Sequence, residues 1–264
     1  MQLTKHIAQG KLLYLSQAEE SLSVSENNHF RWLAFTNDKG EQVIQSVMHK
    51  RKPWQLTLPH QTALLLPLLF FKPQSIVELG LGGGNLDRFL AHTCPNISIT
   101  SIEYSSIVIE NFTNYFNPEN AVIEVIHRDS NDWLAQTEKT LPDWLICDVY
   151  QHKEKDFDKT IKQLESLLDN IDSQGCLSIN LPDATDSEVN LCLTILQQLA
   201  SDHNIVYFHI PNYLNIVIHL IPKYWQTFRL LKRNKNCYLP HRVFLRWRKF
   251  WLHGNEVGNQ VDFK

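Results

Sequence analysis

Ser75-Ile76-Val77-Glu78-Leu79-Gly80-Leu81-Gly82-Gly83-Gly84 decides how this chain is read. A short β-branched run ends in an acid and passes at once into a glycine-rich stretch. Glycine has no Cβ and tolerates positive φ, so such a turn lets backbone approach a ligand closely. A helix beginning after Gly84 would add the free N–H groups of its first turn. The stretch reads as a nucleotide- or nucleoside-binding turn between a buried strand and a helix.

The segments downstream alternate. Strands are predicted at 75–80, 97–103, 121–127, 144–149 and 175–180, and helical patterns at 85–92, 105–116, 131–138, 157–170 and 186–201. Such alternation argues for a parallel sheet with helices on both faces. Two apolar runs, 204–210 and 215–221, follow with only Pro211-Asn212-Tyr213-Leu214 between them, and so short a link makes an antiparallel pair. The expectation is an α/β Rossmann-like sheet of seven strands, mostly parallel, with a terminal antiparallel pair. This inventory resembles the class I methyltransferase fold. Upstream, 31–36 and 42–48 flank Asn37-Asp38-Lys39-Gly40, a hairpin turn. Three parts are expected: a β-rich segment 1–60 carrying that hairpin, a nucleoside-binding domain 61–222, and a basic extension 223–264.

Bulk properties narrow the class. The chain has 264 residues, 43% hydrophobic and 20% charged, an ordinary globular balance. The longest apolar run, 62–71, is half the ~20 residues of a membrane span, and Pro67 interrupts it. It reads as a buried helix. The first residues show no secretory pattern. Five scattered cysteines without a C-x-x-C pair fit a reducing compartment, not a zinc site or a disulfide framework. Cytoplasm is the expected location, and no metal site is expected.

In an open α/β sheet ligands lie beyond the carboxyl ends of the strands. Glu78, Gly80, Gly82 and Gly84 match the acidic-x-G-x-G-x-G pattern of S-adenosylmethionine (SAM) binders, with Glu78 toward the amino end of the cofactor. Glu103 ends the second strand ~20 residues past the glycines, where an acid accepts the ribose hydroxyls of SAM or of NAD alike. Asp129, with Ser130 beside it, follows the third strand and suits the adenine amine, while Asp132 reads as a helix-start acid. Asp148 ends the fourth strand, where a carboxylate can take a proton from a nucleophile, position the cofactor or cap a helix.

Residues 30–222 resemble the spermidine synthase (polyamine aminopropyltransferase) family. The hairpin with Gln45, Leu58-Pro59-His60-Gln61, Ser101-Ile102-Glu103-Tyr104, Asn114-Tyr115-Phe116, Arg128-Asp129-Ser130 and Trp144–Asp148 carry the resemblance. It implies nucleoside binding by Gly80, Gly82, Gly84, Glu103 and Asp129. It matches Asp148 to the first acid of the family's D-S-x-D-P loop. Gln45, His60, Gln61 and Tyr150 become candidate substrate contacts, and the N-terminal strands a candidate homodimer surface. Two departures stand out. The family's G-G-G-D-G aspartate, which holds the aminopropyl ammonium, is Gly83 here, and the second loop aspartate has no counterpart. The leading expectation is therefore a SAM-dependent transferase acting by methyl transfer on a small-molecule acceptor whose identity the sequence leaves open, an amine being one candidate. Aminopropyl transfer from decarboxylated SAM is the alternative, and a non-catalytic nucleoside- or RNA-binding module is a third.

Residues 223–264 hold ten Lys/Arg and two acids, on a chain of net charge −3. Bases mixed with aromatics over 229–249 would suit RNA or an anionic membrane surface. They equally suit an amphipathic helix whose aromatics cover the sheet and whose bases are solvated.

Overall fold

The computed structural model describes residues 7, 9–16, 21–37, 39–149, 157–171, 174–225 and 238–257. Four strands, β1 (Lys11–Leu15), β2 (Leu22–Glu26), β3 (Phe30–Thr36) and β4 (Gln42–His49), form an antiparallel meander in chain order. The expected hairpin is its β3–β4 half. Gly40 takes φ 77° in the turn, and Asn37 Oδ1 accepts from the N–H of Lys39 and Glu41. Strands β1 and β2 enlarge that hairpin to a sheet.

Helix α1 (Pro59–Leu64) and a 3-10 turn (Leu66–Leu69) make up the apolar run. It is buried as expected, but it is not one helix. Pro67 has no N–H for an α-helical bond, and the chain tightens so that Leu68 N–H reaches the Leu65 carbonyl.

The second sheet is built from β5 (Ser75–Leu79), β6 (Ser98–Glu103), β7 (Glu124–His127), β8 (Trp144–Cys147), β9 (Cys176–Leu181), β10 (His203–His209), β11 (Ile216–Pro222) and β12 (Asn255–Val257). Its order is β12-β10-β11-β9-β8-β5-β6-β7. Strands β7, β6, β5, β8 and β9 pair in parallel, and β11 runs antiparallel to both β9 and β10. The α/β Rossmann-like reading holds, with one correction. The antiparallel pair is not terminal, because β12 adds an eighth strand against β10.

Helices α2 (Asn85–Thr93), α3 (Ser106–Asn111, running into a π-turn at Phe112–Phe116), α4 (Ser130–Leu134), α5 (Phe157–Leu168), α6 (Asp186–Leu199) and α7 (His241–Trp251) complete the fold. Alternating strand residues feed two apolar cores. Ile76, Trp144, Ile146, Val217 and Ile221 face α1, α2 and α7. Val77, Leu79, Leu145, Leu177 and Ile218 face α5 and α6. Burial on both faces is why these strands read as continuous apolar runs.

Helix α7 settles part of the tail. Phe244, Trp247 and Trp251 are buried, with Trp247 stacked on Phe89 and Trp251 against Phe70 and Phe208. Arg242, Arg246 and Lys249 face outward. These aromatics cover the sheet and offer no stacking platform for RNA bases. Among the described residues no helix is long and apolar enough to cross a membrane.

Candidate functional site

The carboxyl ends of β5, β6, β8 and β9 converge on the glycine turn. Gly80, Gly82 and Gly84 have φ of 95°, 51° and 60°, a region L side chains rarely adopt. Their surroundings differ. A Cβ on Gly80 would fall 2.8 Å from the Asp148 carbonyl oxygen, and one on Gly84 would enter the Phe112 ring. At Gly82 a Cβ would meet nothing within 4 Å. Gly80 and Gly84 thus let the turn close onto its own framework, while Gly82 presents bare backbone to open space.

Glu103 is buried and oriented by the turn. Leu81 N–H donates to its Oε2 (3.1 Å) and Ser105 N–H to its Oε1 (3.0 Å). Each carboxylate oxygen keeps a lone pair for a further donor, as ribose binding requires. Asp129 is exposed and is itself the N-cap of α4, accepting from Asn131 N–H at 2.8 Å. Asp132 lies in the first turn, as expected of a helix-start acid. Ser130 opens the helix, partly covered.

Asp148 N–H donates to the Leu79 carbonyl (2.9 Å), which ties the tip of β8 to the turn. Asn180 Nδ2, at the end of β9, donates to Asp148 Oδ1 (2.7 Å) and is held in turn by Asn215 Nδ2 (3.0 Å). Burial pushes the Asp148 carboxyl above the ordinary aspartate range, against the opposing pull of His60 and Asn180. His60, near the start of α1, lies within electrostatic reach of Asp148. Burial holds the imidazole below its ordinary pKa, and its Nδ1 is buried with no hydrogen-bond partner among the described residues. A neutral histidine and a carboxylate with raised proton affinity, within electrostatic reach of each other, are suited to accept a proton.

The other substrate candidates divide. Gln61 is buried, and its Oε1 accepts from Thr57 and Leu58 N–H in a capping box, so its carbonyl serves the start of α1. Gln45 lies partly covered on β4. Tyr150 lies outside the described residues.

Glu78 departs most from its expected role. It is almost fully buried on the α2 face of the sheet, with its carboxyl beside that of Asp87 of α2. Ser101 Oγ–H donates to Asp87 Oδ1 at 2.6 Å. Burial first, then the charges of Asp87 and Asp148, push the Glu78 carboxyl well above its ordinary range. Reading the strand ends did not reveal Asp87. It sits one helical position after Leu86 in a stretch whose faces are assigned only once α2 is docked. Asn180, by contrast, is a strand-end residue like Asp148, and the same rule would have found it.

The N-terminal sheet closes over the turn. Asn85 Nδ2 donates to the Val47 carbonyl (3.1 Å), which also accepts from Thr57 Oγ1 (2.6 Å). Arg88 of α2 donates through Nε to the Pro53 carbonyl (2.8 Å) and through NH1 to the carbonyls of Phe116 and Gly83. A Cβ on Gly83 would run into the Ser46 side chain of β4. The position where the resembled family carries its aspartate is therefore filled from above by another strand.

No family model matches the chain. A polyamine aminopropyltransferase of Vibrio vulnificus is 32% identical over 98 residues, 37% of this chain and 33% of that protein. The chain spans between 33% and 45% of the length of the curated relatives it matches, all of them polyamine aminopropyltransferases by name. A probable spermidine synthase from Corynebacterium glutamicum superposes with TM-score 0.68 at 13% identity, over 94% of this chain and 90% of that one. Human methyltransferase-like protein 13, solved in complex with SAH, superposes with TM-score 0.54 at 16% identity, over 74% and 91%. The chain thus has homologues among polyamine aminopropyltransferases, and its fold is of the class I SAM-methyltransferase type.

Proposed function

We propose that this chain seats a SAM-type sulfonium nucleoside over Gly80–Gly84 and transfers its aminopropyl group to an amine. This reverses the order expected from sequence, where methyl transfer led. The relatives, all aminopropyltransferases by name, support the change.

The observation that carries the reading is the Asp148–Asn180 pair at the tip of β8, packed against Gly80 of the turn with His60 within electrostatic reach. Glu103 takes the ribose hydroxyls and Asp129 the adenine amine. The acceptor amine attacks the carbon next to sulfur, so that a C–N bond forms as the C–S bond breaks and a neutral thioether leaves. Aliphatic amines are mostly protonated at neutral pH, with an ordinary pKa of ~10 as for lysine. A carboxylate must hold the cation and then take its proton, and Asp148 has both the place and the raised proton affinity. Positioning supplies much of the rate.

The test is calorimetric titration with SAM, decarboxylated SAM and methylthioadenosine, followed by an assay of methylthioadenosine release with putrescine. Preference for decarboxylated SAM and turnover with the amine are expected. Preference for SAM with no turnover of the decarboxylated form would instead select methyl transfer. Gly83 specifically favours that second reading, since Ser46 occupies the room an ammonium-binding aspartate needs. A homodimer through the N-terminal sheet belongs to the same proposal. Its edge strand β1 exposes Leu12 and Leu15, and sedimentation would show the dimer.

A further inference from the structure

The buried carboxyl pair beneath the glycine turn is not used in the transfer step. Glu78 lies two residues before Gly80, and Asp87 three residues after Gly84, so the turn loops over the contact between them. Both are buried almost completely. Two neighbouring carboxyls shut away from water avoid carrying two charges by keeping one proton between them. Glu78 Oε2 and Asp87 Oδ2 are buried with no hydrogen-bond partner among the described residues. Asp87 has the better-supported anion, with Ser101 Oγ–H on Oδ1 and the charge of Arg88 beside it. The proton therefore rests on Glu78.

Among the described residues the charged groups that act on Glu78 come from one helix and two strand ends. From α2 come Asp87 and Arg88, from the end of β6 Glu103, and from the end of β8 Asp148, itself faced by His60. Arg88 is the only cation among them. Burial lowers it to about 10, so it stays charged at neutral pH, but its donors are committed to the carbonyls of Pro53, Gly83 and Phe116 and to Asn85. The surroundings of Glu78 thus carry more negative than positive charge, and a new cation above the turn would find no competitor.

We propose that the Glu78–Asp87 pair links binding to proton release: the ligand-free pair holds one proton, and a sulfonium nucleoside on the turn displaces it to solvent. The freed carboxylate then stands as counter-charge beneath the sulfonium. The inference rests on the nucleoside reading above. It adds a discrimination, because the product thioether has no sulfonium charge. The site reclaims its proton as the chemistry ends, and product is held less tightly than substrate.

Calorimetry in buffers of different ionisation enthalpy tests this directly, with SAM and S-adenosylhomocysteine as probes that differ in the sulfonium charge. SAM should release up to about one proton where the pH lies between the pair's free and bound proton affinities, and S-adenosylhomocysteine much less. Glu78→Gln, which keeps the shape of the protonated acid, should abolish the difference. Should that variant not fold, the wild type still decides. Its preference for SAM over S-adenosylhomocysteine should grow with pH, at most about tenfold per pH unit. Equal proton release by the two probes, or a preference flat in pH, would overturn the linkage while leaving nucleoside binding intact. Failure of both probes and of decarboxylated SAM to bind would overturn the functional reading itself.

Discussion

Two buried polar clusters sit on the same face of the sheet, a few strands apart, and they are finished differently. In the first, Trp144 Nε1–H donates to Ser178 Oγ (2.9 Å), Ser178 Oγ–H to His219 Nδ1 (2.7 Å), and His219 Nε2–H to the Ala63 carbonyl of α1 (3.0 Å). A carbonyl only accepts, so the direction of the whole chain follows from its last bond. In the second, Glu78, Asp87 and Ser101 hold more acceptors than donors, and Glu78 Oε2 and Asp87 Oδ2 lack a partner among the described residues. The first cluster is complete and pins α1 to β11. The second is left short of donors directly under the glycine turn. A closed network fixes structure, while an unfinished one keeps chemistry in reserve.

The comparison can be broken by asking which cluster moves activity and which moves stability. The largest effect should come from Asp148→Asn at the open end of the site. Turnover with an amine should fall about 10²- to 10⁴-fold, the usual worth of a positioned proton acceptor, with the melting temperature little changed. A steady-state assay beside a thermal melt reads both, and undiminished turnover would remove Asp148 from the mechanism.

His219→Ala should do the reverse. It takes the acceptor from the Ser178 hydroxyl and the imidazole donor from the Ala63 carbonyl and opens a cavity, a loss of about 3 kcal/mol that would lower the melting temperature by roughly 6–12 °C. Nucleoside affinity at a temperature where the variant is folded should hold, unless α1 shifts His60.

The same histidine gives a pH signature. Burial holds His219 down to about 3 from an ordinary 6.5, so it is neutral in the fold and takes up a proton on unfolding below pH 6.5. Stability should therefore fall on acidification by about 1.4 kcal/mol per pH unit from this group. His203, also lowered by burial, adds in the same direction. Denaturant melts of wild type and His219→Phe between pH 7 and 5 should diverge by that slope, and parallel curves would place the sensitivity elsewhere.

The smallest effect has the opposite sign. The Glu78 proton affinity is raised in the fold, so burying it costs stability increasingly as pH climbs above 4.5. Glu78→Gln should stabilise the ligand-free protein at neutral pH by on the order of 1 kcal/mol, a gain that fades near pH 4. A destabilised variant would mean that Glu78 is a structural acid after all.

What was legible in the sequence followed local rules. The strands from β5 to β9 and their parallel pairing came from alternation, and Glu103, Asp148 and the glycines came from looking at strand ends. What was not legible depends on distant partners. Strand β12 is Asn255-Glu256-Val257, too short and polar to show a period, and β10 alone makes it a strand. The aromatics of 241–251 fit an RNA platform or a core helix equally until α7 is seen against Phe89 and Phe208. Asp87 reads as an ordinary acid in a first helical turn, and only the docking of α2 buries it on Glu78. Ser46 stands 37 positions before Gly83 and belongs to another sheet, so nothing near the glycines announces it.

The closure of β4 over the turn bears on what could be exchanged between proteins of this shape. The Val47 and Pro53 carbonyls satisfy donors from α2, and Ser46 fills the space above Gly83, so the upstream segment completes the outer wall of the proposed nucleoside seat. Boundaries that tolerate cutting are crossed by few contacts, and this one is crossed at the point of greatest consequence. A graft of the parallel sheet alone would arrive with Asn85 and part of Arg88 unanswered and the turn uncovered. The smallest portable piece is the turn together with its roof, and variation at position 83 must be matched by variation at 46.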